Sequence, residues 1–361
     1  MPNTSLKGTN SRRFSQIHVC ALMFLLTIIS VSVTAEESAD NKPFNKLDVV
    51  LDNPFDMPFE RADINLLNWQ HWPYSRYASH HPTEFVSMAI IYADREALAL
   101  EENSNDPLDL RSLKITLAQE QIVTLEEALK GIQMKGFAIM HGGKLAFETY
   151  GQGMQKQNIQ LLQSSSKTFT GMLIYKLASE GKLDLTANVK EYLPDLNAGV
   201  FDGSTLQHML DMQVGFPDFG SYNKAGDLGY LSEVYMGLKP KVLGVTQRST
   251  LAFIRQFQKP VFAPGTEFTY VDMNTQVLAM IAERVTEKPY AQLIEETFWL
   301  PLQARYDAAI AVDEDGHAGA SWGLAITVNN NPIVIHPNNL KVIHYSLGLS
   351  INPACFFSLI R

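Results

Sequence analysis

A serine and a lysine three residues apart are the first chemistry this sequence offers. Ser164 and Lys167 stand in Gln163-Ser164-Ser165-Ser166-Lys167, at the start of an amphipathic stretch. Residues i and i+3 share a helix face, so the lysine ammonium falls within reach of the serine hydroxyl. A serine hydroxyl is a weak nucleophile until a neighbour takes its proton. A lysine takes it when burial or nearby charge lowers its pKa. A helix N-terminus adds a positive field that favours a developing oxyanion. Ser165 and Ser166 are alternatives, but neither has Lys167 three residues ahead. Ser-x-x-Lys alone is common by chance, so the elements around it decide its weight.

The pair needs a helix, and the pattern predicts one from about Ser164 to Glu180, closed by Gly181. Phe169, Leu173 and Leu177 recur at four-residue spacing on one face. Upstream, Phe137–Met140 and Leu145–Tyr150 read as two strands joined by His141-Gly142-Gly143-Lys144, a hairpin turn that places His141 as a turn residue. Thr124 caps a short helix to Ile132, with Glu127 three residues on. Residues 183–196 read as a loop, Thr205–Met212 as helical, and 213–230 as a long loop. Asn274 is expected to cap a helix over Thr275–Thr286, with Val277, Ile281 and Val285 as its stripe. Pro289 opens one more helix to about Trp299. The segment 69–83 carries Trp69, Trp72, Tyr74 and Tyr77 with His71, His80 and His81. The histidines lack an i, i+4 pair and an intervening carboxylate, so a surface-draping aromatic segment is expected there rather than a metal site.

Downstream stand Glu180-Gly181-Lys182-Leu183-Asp184-Leu185, Leu210-Asp211-Met212, Pro264-Gly265-Thr266-Glu267-Phe268-Thr269-Tyr270 and Asn274-Thr275-Gln276. With the serine–lysine pair and Trp72-Pro73-Tyr74-Ser75-Arg76, this succession resembles the serine hydrolases of the β-lactamase and penicillin-binding superfamily. Its nearest branch is that of class C-like esterases and 6-aminohexanoate-dimer (nylon-oligomer) hydrolases, and the resemblance covers about residues 69–325. It implies an α+β, two-lobed serine β-lactamase-like fold: an antiparallel sheet flanked by helices, plus an all-helical lobe. It implies Ser164 as nucleophile, Lys167 as its paired lysine and Tyr270 as partner base, with a tyrosine pKa lowered near the lysine. The family's Tyr-x-Asn motif has Asp272 at its third position here, with Asn274 two residues beyond. Asp272 and Asn274 are taken as substrate-binding positions, together with Tyr222 in the loop that covers substrate in the nylon-oligomer branch. The chemistry implied is acyl transfer on a small-molecule ester or amide, with no metal and no organic cofactor.

The family's third motif, Lys-Thr-Gly or His-x-Gly on a strand facing the serine, is missing. His317-Ala318-Gly319 has the letters but falls early, in a polar loop, and reads as coincidence. From Ile326 to Arg361 no Asp or Glu occurs. That stretch reads as an atypical tail standing where the family's C-terminal strands should begin, so the sheet is expected to be incomplete. A truncated, non-catalytic remnant or a ligand-binding member of the fold is the alternative to an active hydrolase.

The composition agrees with a folded enzyme: 361 residues, 46% hydrophobic and 19% charged. The net charge of −9 offers no basic nucleic-acid footprint. Two cysteines, Cys20 and Cys355, exclude a disulfide framework. Lys7, Arg12 and Arg13 precede an uncharged run from Val19 to Val33, and Val33-Thr34-Ala35 offers small residues before Glu36. This is the layout of a secretory signal peptide, with an uncleaved N-terminal anchor as the alternative. The organisation expected is a signal peptide at 1–35, an extended arm and aromatic segment at 36–123, a hydrolase domain at 124–325 and the tail at 326–361. The mature chain would be bacterial and periplasmic or secreted, without a membrane span; its oligomeric state is not legible.

Overall fold

The computed structural model describes residues 59–94, 110–116, 121–141, 144–151 and 153–328. The expected signal peptide, the arm before residue 59 and the tail after residue 328 lie outside the described residues. The described residues divide into two compact units, 110–116 with 121–132, and 59–94 with those from 133 to 328.

The second unit carries a 3-10 turn over Arg61–Asp63, a one-turn helix, α1 (Ser75–Ala78), and strand β1 (Met88–Ile91). The first unit contributes β2 (Lys114–Thr116), β3 (Ile122–Thr124) and α2 (Leu125–Gly131). β2 and β3 pair antiparallel. The expected cap is present: the Thr124 hydroxyl accepts from the Glu127 N–H at 3.1 Å, and the Glu127 carboxylate accepts from the Thr124 N–H at 2.7 Å.

The second unit continues with β4 (Gly136–His141), β5 (Lys144–Tyr150) and β6 (Gln160–Leu161). The long helix α3 (Ser166–Ser179) follows a 3-10 turn over Gln163–Ser165. Short helices α4 (Val189–Tyr192), α5 (Leu206–Leu210), α6 (Leu228–Tyr235) and α7 (Thr250–Ile254) lead to α8 (Asp272–Thr286) and α9 (Tyr290–Ile294). Strands β7 (Ala308–Ala311) and β8 (Leu324–Ile326) close the described chain. β1, β7, β8 and β6 form one sheet in that order, and every pairing is antiparallel. β4 and β5 pair as an antiparallel hairpin with no third strand among the described residues.

The core is built on α3 and α8. Phe169, Leu173 and Leu177 are all buried, as their spacing requires, and so is every residue of α8 from Asp272 to Ala282. Gly181 takes φ +72°, and the Lys182 N–H donates to the Leu177 carbonyl at 2.9 Å, which ends α3 where the sequence placed its stop.

Several local expectations need correction. The aromatic segment does not simply drape the surface: Trp69 is buried, and its indole N–H donates to the Leu238 carbonyl at 2.9 Å. A tryptophan buries its ring once the N–H finds an acceptor, and only Trp72 remains widely exposed. His141 is the last residue of β4, paired with Lys144, so the turn is shorter than expected. The loop from 183 contains α4, capped by Asn188, and the loop from 213 ends where α6 begins.

Candidate active site

Ser164 lies in the 3-10 turn that leads into α3, so its side chain stands at the helix entrance rather than on a fully formed turn. Lys167 follows on the first turn of α3 with 1% of its surface exposed. Its Nζ is 3.3 Å from Ser164 Oγ, as the i, i+3 spacing requires. Two further contacts hold the ammonium: Asp272 Oδ1 at 2.5 Å and the Ser321 carbonyl at 2.8 Å. A lysine ammonium has three donors, and here all three have partners.

The lowered pKa that a lysine base would need is absent here. Burial alone would push Lys167 down, but the adjacent Asp272 carboxylate outweighs it, with Tyr270 adding to it, and Lys167 is held above its ordinary value. The physical reason is an acid at position 272, where the family motif has an amide.

Tyr270 is brought to the same place. Lys167 Nζ sits 4.9 Å from the centroid of its ring. The phenol oxygen is buried and makes no hydrogen bond of proper geometry. Burial raises its pKa; Lys167 draws it back and Asp272 raises it, leaving it above its ordinary value instead of below. Tyr222 donates from its hydroxyl to Asp272 Oδ2 at 3.2 Å, so the loop tyrosine also joins the cluster. Burial and Asp272 together raise its pKa.

Asn274 is the residue the structure does not bring in. The helix starts at Asp272, two residues before the expected cap, with extended Val271 as its N-cap residue. Residues i and i+2 do not share a helix face. Asn274 Nδ2 instead contacts the Val271 carbonyl at 3.3 Å and the Met212 sulfur at 3.2 Å. The residue that does share the face of Asp272 is Gln276, at i+4, whose Oε1 accepts from the Ser321 N–H at 2.9 Å. Gln276 and the Ser321 carbonyl were missed from sequence. A helix begun at Asp272 would have exposed the first through its i, i+4 spacing; a backbone carbonyl leaves no such trace.

Of the alternative serines, Ser165 is exposed and Ser166 is buried. The Ser166 hydroxyl donates to the Gln163 carbonyl at 2.7 Å and accepts from the Leu324 N–H at 3.1 Å, which ties the nucleophile turn to β8. His317 stays out of the cluster: its ring lies 3.5 Å from Asp313, and its carbonyl accepts from the Asp313 N–H at 3.0 Å. No group of three or more His, Cys, Asp and Glu side chains able to hold a metal occurs among the described residues.

The sequence profile of the β-lactamase family matches residues 123–341, which include every residue of this cluster. The chain belongs to the β-lactamase family. Among curated relatives, the 6-aminohexanoate-dimer hydrolase of Paenarthrobacter ureafaciens is 28% identical over 270 residues, 74% of this chain. The alignment spans 66% of that hydrolase, just under two thirds of its length. Protein flp of Staphylococcus aureus strain MW2 is 29% identical over 153 residues, which cover 40% of this chain and 27% of that protein. Among solved structures, a Bacillus anthracis protein provisionally assigned as a 6-aminohexanoate-dimer hydrolase superposes with a TM-score of 0.68. It is 24% identical, and the match covers 76% of this chain and 71% of that one. The α+β β-lactamase-like fold expected from the motifs is thereby borne out.

Proposed function

We propose that this chain is a serine hydrolase that acts by acyl transfer on a small ester or amide. The observation that carries the reading is the 3.3 Å contact between Lys167 Nζ and Ser164 Oγ inside a buried cluster. Ser164 Oγ attacks the substrate carbonyl carbon, forming an acyl-enzyme and releasing the alcohol or amine. Because Lys167 is held charged by Asp272, the serine proton passes to Tyr270 once that phenol has ionised, which its raised pKa confines to alkaline pH, and from there to the leaving group. Lys167 acts as the cation that stabilises the phenolate. Water then attacks the acyl-enzyme, its proton returning through Tyr270 to the departing Ser164 oxygen. Tyr222 and Asp272, joined by a hydrogen bond, are assigned to substrate binding. The Paenarthrobacter relative is named for a linear amide dimer, which favours small linear amides or esters as the substrate class here.

A specific observation supports a second reading. Asp272 occupies Lys167 in the resting site, and such a site can hold ligand without turnover. Hydrolysis of a chromogenic ester by the full chain, compared with Ser164→Ala, separates the two. The hydrolase reading expects the variant to lose several orders of magnitude in rate, and a fluorophosphonate probe to label Ser164 alone. Equal, near-zero rates in both proteins, or labelling at Ser165 or Ser166, would count against it.

Export is part of the same proposal and rests on the charged start, short apolar run and Val-Thr-Ala ending of residues 1–35. Among the described residues no helix is long and apolar enough to cross a membrane. N-terminal sequencing of protein from the cell envelope should begin at Glu36; an intact Met1 in the soluble cytoplasm would contradict export.

A further inference from the structure

A second group of titratable side chains lies outside this site, around α1. Arg76 is buried, with 7% of its surface exposed. Its guanidinium makes no ion pair among the described residues, and its Nη2 has no hydrogen-bond partner. Its guanidinium carbon lies 5.2 Å from the Trp72 ring centroid, which covers one face of the fork and satisfies none of its donors. Four residues on, His80 Nδ1 lies 3.1 Å from the Ile159 carbonyl, so that nitrogen carries the proton and Nε2 presents a lone pair. Nε2 is buried and has no partner. Lys135, the residue before β4, closes the group. Its Nζ donates to the Arg76 carbonyl at 3.0 Å and to Ser79 Oγ at 2.7 Å, which leaves one donor open.

Lys135 feels Arg76, His80 feels Lys135, and none of the three is shifted by an acid. Burial, with Arg76 beside it, brings Lys135 down to about 7. Burial and then Lys135 hold His80 well below its ordinary value. Arg76 is lowered by burial alone. Burying a guanidinium without a counter-charge is among the most unfavourable arrangements a fold can contain. An arginine fork and a lysine head are also the usual partners of bound oxyanions.

We propose that Arg76, Lys135 and His80 form a binding site for an oxyanion of the phosphate class. Arg76 and Lys135 supply donors to its charged oxygens. His80 Nε2 needs a donor in return, and inorganic phosphate still carries a proton at neutral pH, whereas a carboxylate or sulfate does not. The site abuts the chain that leads to Ser164: the Ile159 carbonyl holds His80, and the Leu161 N–H donates to the Ser79 carbonyl at 2.9 Å.

The test is calorimetric titration of the full chain with inorganic phosphate, at constant ionic strength set by chloride. Sulfate and acetate are titrated in parallel. Saturable binding of one phosphate is expected, with sulfate and acetate at least ten-fold weaker. Lys135→Met and His80→Gln, each checked for folding by circular dichroism, should each weaken phosphate by ten-fold or more. The two variants cover different elements, so a failure of one to fold leaves the other decisive. Phosphate binding no better than chloride, acetate binding as well as phosphate, or a folded variant binding as tightly as the parent would overturn the proposal.

Discussion

Lys167 Nζ lies 2.5 Å from Asp272 Oδ1 and 3.3 Å from Ser164 Oγ, so the lysine that faces the serine is held first by an acid. The two contacts come from different elements: Lys167 opens α3 and Asp272 opens α8, and these helices form the middle of the core. A buried ammonium close to a carboxylate stays charged unless the acid is removed. Proton acceptance therefore falls to Tyr270, and the charge at 272 sets how hard that is.

Replacing Asp272 by Asn should move the pH dependence of hydrolysis to lower pH. The Asp272 charge raises both Lys167 and Tyr270. Without it both values fall, and the phenolate form of Tyr270 becomes available at lower pH. A displacement of the acid limb of kcat/KM by about one pH unit, or ~1.4 kcal/mol, is the expected scale. An unmoved limb, or one displaced upward, would remove Tyr270 from the base role. The variant should also melt lower, because it leaves a buried lysine without its acid.

Ser166→Ala should damage stability rather than chemistry. The Ser166 hydroxyl is buried between the Gln163 carbonyl and the Leu324 N–H. Its loss leaves the buried Leu324 N–H unpartnered, while the Gln163 carbonyl keeps the Ser166 backbone N–H, at a cost of about 1–3 kcal/mol. A lower Tm with fluorophosphonate labelling still confined to Ser164 is the expected pair of results. A loss of labelling at unchanged Tm would mean that Ser166 takes part in the reaction.

Asp313 and His317 should give stability a defined pH window. Burial pushes the Asp313 carboxyl up, but His317 and the Thr250 N–H, which donates at 2.8 Å, bring it below its ordinary value. A carboxyl with a depressed native pKa contributes stability that is present above its unfolded value and lost as pH falls through the native one. His317 runs the other way: the Asp313 carboxylate raises it, so its contribution is present below the ordinary histidine value and lost as pH rises through the raised one. Tm measured against pH should therefore fall on both sides of a maximum between these limits. Asp313→Asn should lower that maximum and flatten both flanks; a variant curve parallel to the parent's would refute the linkage.

Much of this site was legible before any coordinates, for identifiable reasons. Helix periodicity placed Ser164 and Lys167 on one face, and Tyr270 and Tyr222 came from motif resemblance; all of them meet at Lys167 or Asp272. Asp272 was named for its position, yet its ion pair with Lys167 joins residues 105 apart in sequence, and only packing of α3 on α8 makes it. The sign of the Lys167 and Tyr270 shifts followed from that pair and was misread without it. Asn274 was misplaced because its side chain suits a cap, while the helix begins two residues earlier and turns it away. Arg76 and His80 were noted in sequence, but Lys135 lies more than fifty residues on, and only the fold brings its ammonium to the Arg76 carbonyl and Ser79.

Gly323 sits between the Ser321 carbonyl that holds Lys167 and the Leu324 N–H that holds Ser166. A Cβ at this position would come within 2.7 Å of Ala311 Cβ and 3.0 Å of the Gly319 carbonyl. Neither obstacle is the free end of a flexible side chain, so the backbone between β7 and β8 must move apart. Overpacking of this kind costs about 1–3 kcal/mol, and the movement carries Ser321 away from Lys167. Gly323→Ala should therefore lower Tm and also lower kcat per folded molecule. Gly181→Ala is the matched control. Gly181 has φ +72° and open space around its Cβ position, so alanine there costs about 1–2 kcal/mol of backbone strain at a distance from the cluster. Equal losses of Tm in the two variants, with kcat reduced only in Gly323→Ala, would show that the Ser321 carbonyl positions Lys167. A Gly323→Ala protein with the parent's kcat would show that this carbonyl does not matter to turnover.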